Sequence, residues 1–313
     1  MRRPPRLRTP KLDFIVIGAQ KAGTTSLWRY LEDNPKLLMP PDKEASFFSE
    51  PQYPDALRAY MRALFKDAPR GKLLGKITPA YMTGTPGISV PAIAGRIHET
   101  VPRVRLVAVL RDPVERALSA HRMWTRFGEE DRPFETAIAE LLQPDALERA
   151  RRGPSIRDSY VVSGEYGWML RAYVERFGAE QLHVELSADL DASAEDVVAR
   201  VCRFIGVEPH RPARLGQRFN PSGPPLLGPE AEADLKDYLG RHVWPRMKHG
   251  AQHRDHFDQW FLRWNSVPDP EPAPGVAAPA VDPATERRLR EHYAADARLL
   301  EAELGLRVPW AAG

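Results

Sequence analysis

The sequence predicts an α/β fold, a parallel sheet with helices on both faces and a helical C-terminal portion. Two observations carry that prediction. Short apolar runs bounded by turn residues alternate with helix-length periodic segments through about the first two-thirds of the chain, and the connections between them are short. The predicted strands are Phe14–Ile17, Leu73–Ile77, Arg105–Leu110 and Leu182–Leu186. The predicted helices are Thr25–Leu31, Asp55–Phe65, Pro91–Glu99, Val114–Phe127, Phe134–Leu141, Tyr166–Phe177 and Ala194–Ile205. Beyond Asn220 the pattern weakens to helices at Pro229–Leu239 and His253–Trp264, then a proline- and alanine-rich flexible connection over 265–282. A last helix, Pro283–Leu304, repeats apolar residues at Leu289, Tyr293, Ala297, Leu300 and Leu304 and is expected to pack back onto the core. A basic tail over residues 1–11 precedes a single domain over 12–313.

Composition narrows the class. No run of about 18 apolar residues is present to span a membrane, and no apolar signal core follows the basic start. The net charge of +3 lacks the strong positive field of a nucleic-acid binder, although 45 basic residues are available for local anion sites. Cys202 is the one cysteine, so an intramolecular disulfide is excluded, and it falls in the helical pattern Val197-Val198-Val201-Cys202-Ile205 as a buried thiol. The expectation is a soluble, cytoplasmic protein.

The most informative segment runs from Asp13 to Trp28. The first strand stops at Gly18 and a helix begins at Thr24 or Thr25, where hydroxyl residues cap it. The intervening loop is glycine-containing and aims backbone N–H groups at whatever lies over the positive end of the helix, which is an anion site. It is P-loop-like, with one difference. A Walker A lysine follows the second glycine, whereas here Thr24 holds that place and the lysine is Lys21, two residues before Gly23. A phosphate-like ligand is expected, bound otherwise than ATP in a nucleotide-hydrolysing P-loop.

A second constellation follows the third predicted strand: Arg111-Asp112-Pro113-Val114-Glu115-Arg116-Ala117-Leu118-Ser119. Pro113 suits a first helical turn because it has no N–H to leave unpaired. Arg111, with its planar fork, and Ser119, about two turns further on, form one reading as a phosphate grip. A structural Arg111–Asp112 ion pair with a surface serine is the other. Gly18, Lys76 and Arg111 all fall at or just past predicted strand ends, where parallel sheets bind ligands.

Together these segments resemble the two cofactor signatures of sulfotransferases that use 3′-phosphoadenosine 5′-phosphosulfate (PAPS). Lys21 through Ser26 are similar to the 5′-phosphosulfate loop, and Arg111 and Ser119 to the 3′-phosphate site, of form Arg-Asp-Pro-x-x-Arg-x-x-Ser. The nearest branch is the heparan-sulfate, Golgi-type domain and its bacterial relatives. Its Lys-Glu before aromatics appears as Lys43-Glu44-Ala45-Ser46-Phe47-Phe48, and its Lys-x-Thr-Pro-x-Tyr as Lys76-Ile77-Thr78-Pro79-Ala80-Tyr81. Gly164-Glu165-Tyr166, Gln181–Leu186 and Arg218-Phe219-Asn220 follow the same layout, so the resemblance covers roughly residues 12–220 and the terminal helix. The branch's late Lys-Gly-Arg loop is missing; Arg241, Arg246 and Lys248 are candidate substitutes.

The resemblance implies the PAPS sulfotransferase fold, PAPS as sulfuryl donor, its product 3′-phosphoadenosine 5′-phosphate (PAP), and no metal. Gln20, Lys21, Ala22, Gly23, Thr24, Thr25, Ser26, Arg111 and Ser119 would bind the nucleotide, with Lys21, Glu44 and Lys76 catalytic. Lys21 would neutralise charge on the leaving oxygen, Glu44 would be the general base, and Lys76 would bind sulfuryl oxygens or keep Glu44 ionised. Without the resemblance Glu44 reads as an exposed loop carboxylate paired with Lys43. The expected acceptor is a hydroxyl, or less favourably an amine, of a carbohydrate-containing or other small molecule. No nucleic-acid partner and no membrane span are expected, and the near-immediate first strand is read as favouring a bacterial-type enzyme. His121 is expected to be structural, and His242, His249, His253 and His256 a solvated face. Tyr166 and Trp28 are candidates to stack on adenine. The rival readings are a P-loop kinase or NTPase, with Asp112 as its magnesium-binding acid, and a catalytically silent nucleotide-binding module.

Overall fold

Every residue of β1 (Phe14–Gly18) is buried, and Phe14, Ile15, Val16 and Ile17 have no exposed surface. Successive strand side chains point to opposite faces, so burial of both sets requires cover on both sides of the sheet. β1 takes this central place by pairing in parallel with β3 (Leu73–Ile77) on one side and β4 (Arg105–Leu110) on the other. β2 (Leu37–Leu38) flanks β3 and β5 (Leu182–Leu186) flanks β4, giving a five-stranded parallel sheet of order β2-β3-β1-β4-β5 among the described residues. The computed structural model describes residues 12–40, 46–51, 53–54, 57, 61, 65, 68–215, 229–239, 241 and 281–311. The register sets Phe14 against Gly75, where a Cβ would stand 2.0 Å from the Phe14 ring.

The helices are α1 (Thr24–Glu32), α2 (Ala80–Thr83), α3 (Val90–Thr100), α4 (Pro113–Arg126), α5 (Phe134–Leu141) and α6 (Pro144–Arg151). They continue with α7 (Ser159–Val162), α8 (Tyr166–Phe177), α9 (Ser187–Ala192), α10 (Ala194–Ile205), α11 (Pro229–Tyr238) and α12 (Pro283–Leu304). The predicted strands and longer helices appear within one residue of their expected ends. Among the described strands and α-helices, five went unanticipated: β2, α2, α6, α7 and α9. Of the helix expected at Asp55–Phe65, only Leu57, Met61 and Phe65 are described; they are helical and buried, at the spacing of one helix face. The basic tail, Lys43 and Glu44, Arg218 to Asn220, and Arg246 and Lys248 lie outside the described residues. So do the helix expected at His253–Trp264, the four clustered histidines and most of the 265–282 connection.

Contacts divide the chain into two units, one of residues 1–216 with 281–313 and one of 217–280. α11 belongs to the second. In the first, α12 returns to the sheet unit as its apolar stripe predicts, burying Leu289, Tyr293, Ala297 and Leu300. Its closest approach is to α8, at Gly167, where a Cβ would lie 2.4 Å from the Asp296 carbonyl oxygen. The Asp296 carboxylate accepts from the Gly167 and Trp168 amides at 2.8 Å each, so α12 supplies the cap that α8 lacks locally. Glu165, just before α8, is buried and bonded to Arg151 at 2.7 and 2.8 Å and to His292 at 2.9 Å. Burial pushes the Glu165 carboxyl up, but these bonds outweigh it and hold it below the usual range.

Asp296 shifts the other way. Burial raises its carboxyl from 3.8 to about 6, against the two amide bonds that lower it. Between those values the folded protein keeps a proton that the unfolded chain has released. The Asp296 contribution to stability is therefore complete below pH 3.8 and lost as pH rises through about 6. In urea unfolding, the stability advantage of the native sequence over Asp296→Ala is expected to shrink by about 2–3 kcal/mol between pH 4 and 7. An advantage that stays constant or grows with pH contradicts this account.

Candidate active site

Parallel pairing sends the carboxyl ends of β1, β3 and β4 to one edge of the sheet. Gly18 closes β1, Lys76 is next to last in β3, and Arg111 directly follows β4. The chain runs from β1 to one side through β2 and β3, then crosses to β4 on the other. The crevice beyond β1 and β4 is thus a topological switch point, the usual ligand position in such sheets.

The loop after β1 is pinned by the Ala19 amide, which donates to the Val109 carbonyl at 2.8 Å. Gly18 fits tightly against α2, where a Cβ would meet Met82 at 2.6 Å. The chain reaches α1 through two left-handed residues, Lys21 at φ 69° and Gly23 at φ 92°. Such a conformation suits glycine at the cap and is unusual for lysine. No side chain caps α1 at Gly23, and its first turn holds no acid, so the positive helix end is not offset locally. Ala22 and Thr24 are buried, Gln20, Lys21, Thr25 and Ser26 half-buried, and Gly23 exposed.

The second constellation meets this loop. Arg111 Nη1 donates to the Lys21 carbonyl at 3.4 Å, and Lys21 Nζ lies 3.7 Å from Met123 Sδ. Met123 is four residues beyond half-buried Ser119 on α4, so both share a helix face, and that face meets the loop. The structure therefore brings Lys21, Arg111 and the Ser119 face together. Met123 was missed in the sequence because its periodic spacing makes it one more apolar helical residue.

Asp112 is not the partner of Arg111. Its Oδ1 accepts from the Val114 and Glu115 amides at 2.9 and 3.2 Å, capping α4, and its Oδ2 takes Arg290 of α12 at 2.5 Å. Arg111 pairs instead with Glu115 at 3.2 Å, a partly solvated contact worth little and easily exchanged for another anion. Its carbonyl accepts from the Tyr166 hydroxyl at 2.9 Å. Tyr166 is 1% exposed, so it braces Arg111 and offers no free face for adenine. Trp28 is 7% exposed and carries the Arg29 guanidinium 4.3 Å from its ring centroid.

Lys76 is wholly enclosed. Its Nζ lies 5.7 Å from the Phe47 ring centroid, in an aromatic group that includes Phe48 and Tyr81. That group begins at Phe47, three residues after Glu44, which itself lies outside the described residues. His121 is buried, with Nε2 2.9 Å from the Arg132 carbonyl and edge contacts to Phe134 and Tyr160, in keeping with a structural histidine. The Cys202 thiol is buried beside Asn34, and burial pushes its pKa up. Arg241 pairs with Asp237 at 2.7 Å.

No family model matches the chain. The membrane-associated sulfotransferase Kil1 of Dictyostelium discoideum is 31% identical over 147 residues, 45% of this chain and 30% of that protein. The bifunctional heparan sulfate N-deacetylase/N-sulfotransferase of Drosophila melanogaster is 24% identical over 207 residues, 63% of this chain and 20% of that protein. Human bifunctional heparan sulfate N-deacetylase/N-sulfotransferase 3 is 27% identical over 210 residues, 65% of this chain and 23% of that protein. The chain thus spans less than a third of the length of these curated relatives. Among solved structures, a sulfotransferase from Alicyclobacillus acidocaldarius superposes with a TM-score of 0.63 at 24% identity, covering 96% of this chain and 99% of that one. That likeness shows the fold, and the sequence relatives carry the same activity in their names. The chain is thus similar to sulfotransferases over part of its length, and it shares the fold of a bacterial one.

Proposed function

We propose that this protein is a sulfotransferase that moves a sulfuryl group from PAPS to a hydroxyl, or less favourably an amine, of a carbohydrate-containing or other small acceptor. The observation that carries the reading is the meeting of two anion-binding segments. Arg111 reaches the Lys21 carbonyl, and Lys21 reaches the α4 face that bears Ser119. The uncapped α1 start and the cations around it suit a nucleotide with phosphate groups at two ends.

The donor supplies an activated sulfuryl group on a phosphate leaving group. In the proposal, the protein contributes position and charge. Gln20 to Ser26 hold the 5′ end through loop and helix-start N–H groups and the two threonine hydroxyls. Arg111, braced by Tyr166, and Ser119 hold the 3′-phosphate. Lys21 neutralises negative charge where the leaving oxygen develops it. Glu44 accepts the acceptor's proton at its carboxylate, and the enclosed Lys76 keeps Glu44 ionised or binds sulfuryl oxygens. The kinase reading loses support because both Asp112 oxygens are already bonded, to amides and to Arg290.

The heparan sulfate named in several relatives makes a glycan the first acceptor class to examine. No helix among the described residues is long and apolar enough to cross a membrane. A reducing, cytoplasmic setting and a bacterial-type enzyme complete the proposal.

Three substitutions separate the roles in a sulfate-transfer assay with PAPS and a glycan and phenol acceptor panel. Lys21→Ala is expected to lower kcat by at least about 100-fold. Glu44→Gln is expected to leave nucleotide affinity within about twofold and to lower kcat by about 10²–10⁴-fold. Arg111→Ala is expected to raise the KM for PAPS by at least about tenfold, with a smaller effect on kcat. Near-normal turnover in Lys21→Ala, or an unchanged KM in Arg111→Ala, contradicts the assignment. Tight PAP binding without transfer to any acceptor favours the silent module.

A further inference from the structure

Arg116 is the largest wholly buried side chain described, with no exposed surface. Its Nη2 donates to the Tyr160 carbonyl, while Nε and Nη1 have no hydrogen-bond partner among the described residues. Three other arginines that reach into the protein find carboxylates, Arg132 at Glu130, Arg151 at Glu165 and Arg200 at Glu185, and Arg96 and Arg105 reach backbone carbonyls. No such pair forms at Arg116 among the described residues. The Arg116 guanidinium therefore lies enclosed without a carboxylate partner among the described residues. An enclosed charge without a counter-ion is costly, and a bound anion offsets that cost.

The position of Arg116 indicates which anion. It lies three residues before Ser119 and seven before Met123, on the α4 face that meets Lys21. Helical side chains lean toward the helix N-terminus, here toward Arg111. Burial raises the hydroxyls of Tyr166 and Tyr293, and the Arg116 charge acts against that rise at both. Tyr166 is the residue that bonds the Arg111 carbonyl. The guanidinium thus acts on the tyrosine that braces Arg111, and it stands one helical turn before Ser119 on α4.

We propose that Arg116 is the buried counter-charge of the nucleotide's 3′-phosphate, a positioning and affinity residue that selects for the 3′-phosphorylated donor from beneath Arg111 and Ser119. The inference rests on the PAPS reading and extends it. No carboxylate among the described residues offsets the Arg116 guanidinium, and a phosphate monoester dianion supplies the missing charge. Binding of that group and stability of the fold are consequently linked through one side chain.

The test is calorimetric titration and thermal melting of the native protein, Arg116→Met and Arg116→Lys. The probes are PAP and adenosine 5′-phosphosulfate, which lacks the 3′-phosphate. Arg116→Met is expected to melt, without ligand, at or above the native temperature. Its PAP affinity is expected to fall by about 10–100-fold, with adenosine 5′-phosphosulfate affinity within about threefold. Arg116→Lys is expected to recover part of the PAP affinity. An Arg116→Met protein that fails to fold or melts lower while Arg116→Lys keeps native PAP affinity makes the guanidinium a structural pin and overturns the proposal. Equal losses for the two probes, or none for PAP, overturn it as well. A native protein that binds neither probe removes the PAPS reading, and this inference with it, whereas native binding of both probes alike defeats this inference alone.

Discussion

The parallel pairing of β1 with both β3 and β4 is the constraint on which the rest of the structure depends. It requires β1 to be apolar on both faces, which Phe14 to Ile17 satisfy. It also delivers three strand ends to one edge, with Lys76 near the end of β3, the loop to α1 after β1 and Arg111 after β4. An antiparallel partner would have sent Lys76 or Arg111 to the far side. Phe14 packing over Gly75 and Gly18 packing against Met82 hold the central strand and its loop closely enough for that edge to be well defined.

The second layer of the site is distant in sequence. Arg290 of α12 bonds the Asp112 that caps α4, across 178 residues, and Asp296 of the same helix caps α8. α8 in turn supplies Tyr166, whose hydroxyl braces Arg111. The C-terminal helix is therefore a buttress for the helix starts around the candidate site. Its Arg290, His292 and Asp296 are engaged inward, and the titration of Asp296 connects fold stability to pH.

Legibility in the sequence followed the length of the physical signal. β1, β4, α4, α8 and α12 carry enough periodic residues to be read with their boundaries. Leu37–Leu38, Ala80–Thr83 and Ser159–Val162 have one turn or less, too short for any period, and α6 shows little beyond Pro144 and two alanines. The loop between β1 and α1 was legible because Gly18, Lys21 and Gly23 are local. The Asp112 capping bonds were hidden by an equally simple ion-pair reading, and its Arg290 bond by distance along the chain. Met123 and Arg116 were hidden because an apolar helical residue and an arginine inside a motif have ordinary readings until their partners, or the want of them, are seen. The acceptor side was the least legible, since loop residues that shape such pockets have no periodic or capping signal.

The central claim is that the edge beyond β1 and β4 grips a nucleotide at two phosphate-bearing ends. The measurement that bears on it most directly is isothermal titration calorimetry of the native protein with PAP and, separately, with ATP and magnesium. The account predicts micromolar or tighter binding of PAP and at least about 100-fold weaker binding of ATP, since only PAP carries the 3′-phosphate that Arg111 and Ser119 are placed to hold. Equal affinity for the two, or preference for ATP with magnesium, would contradict it.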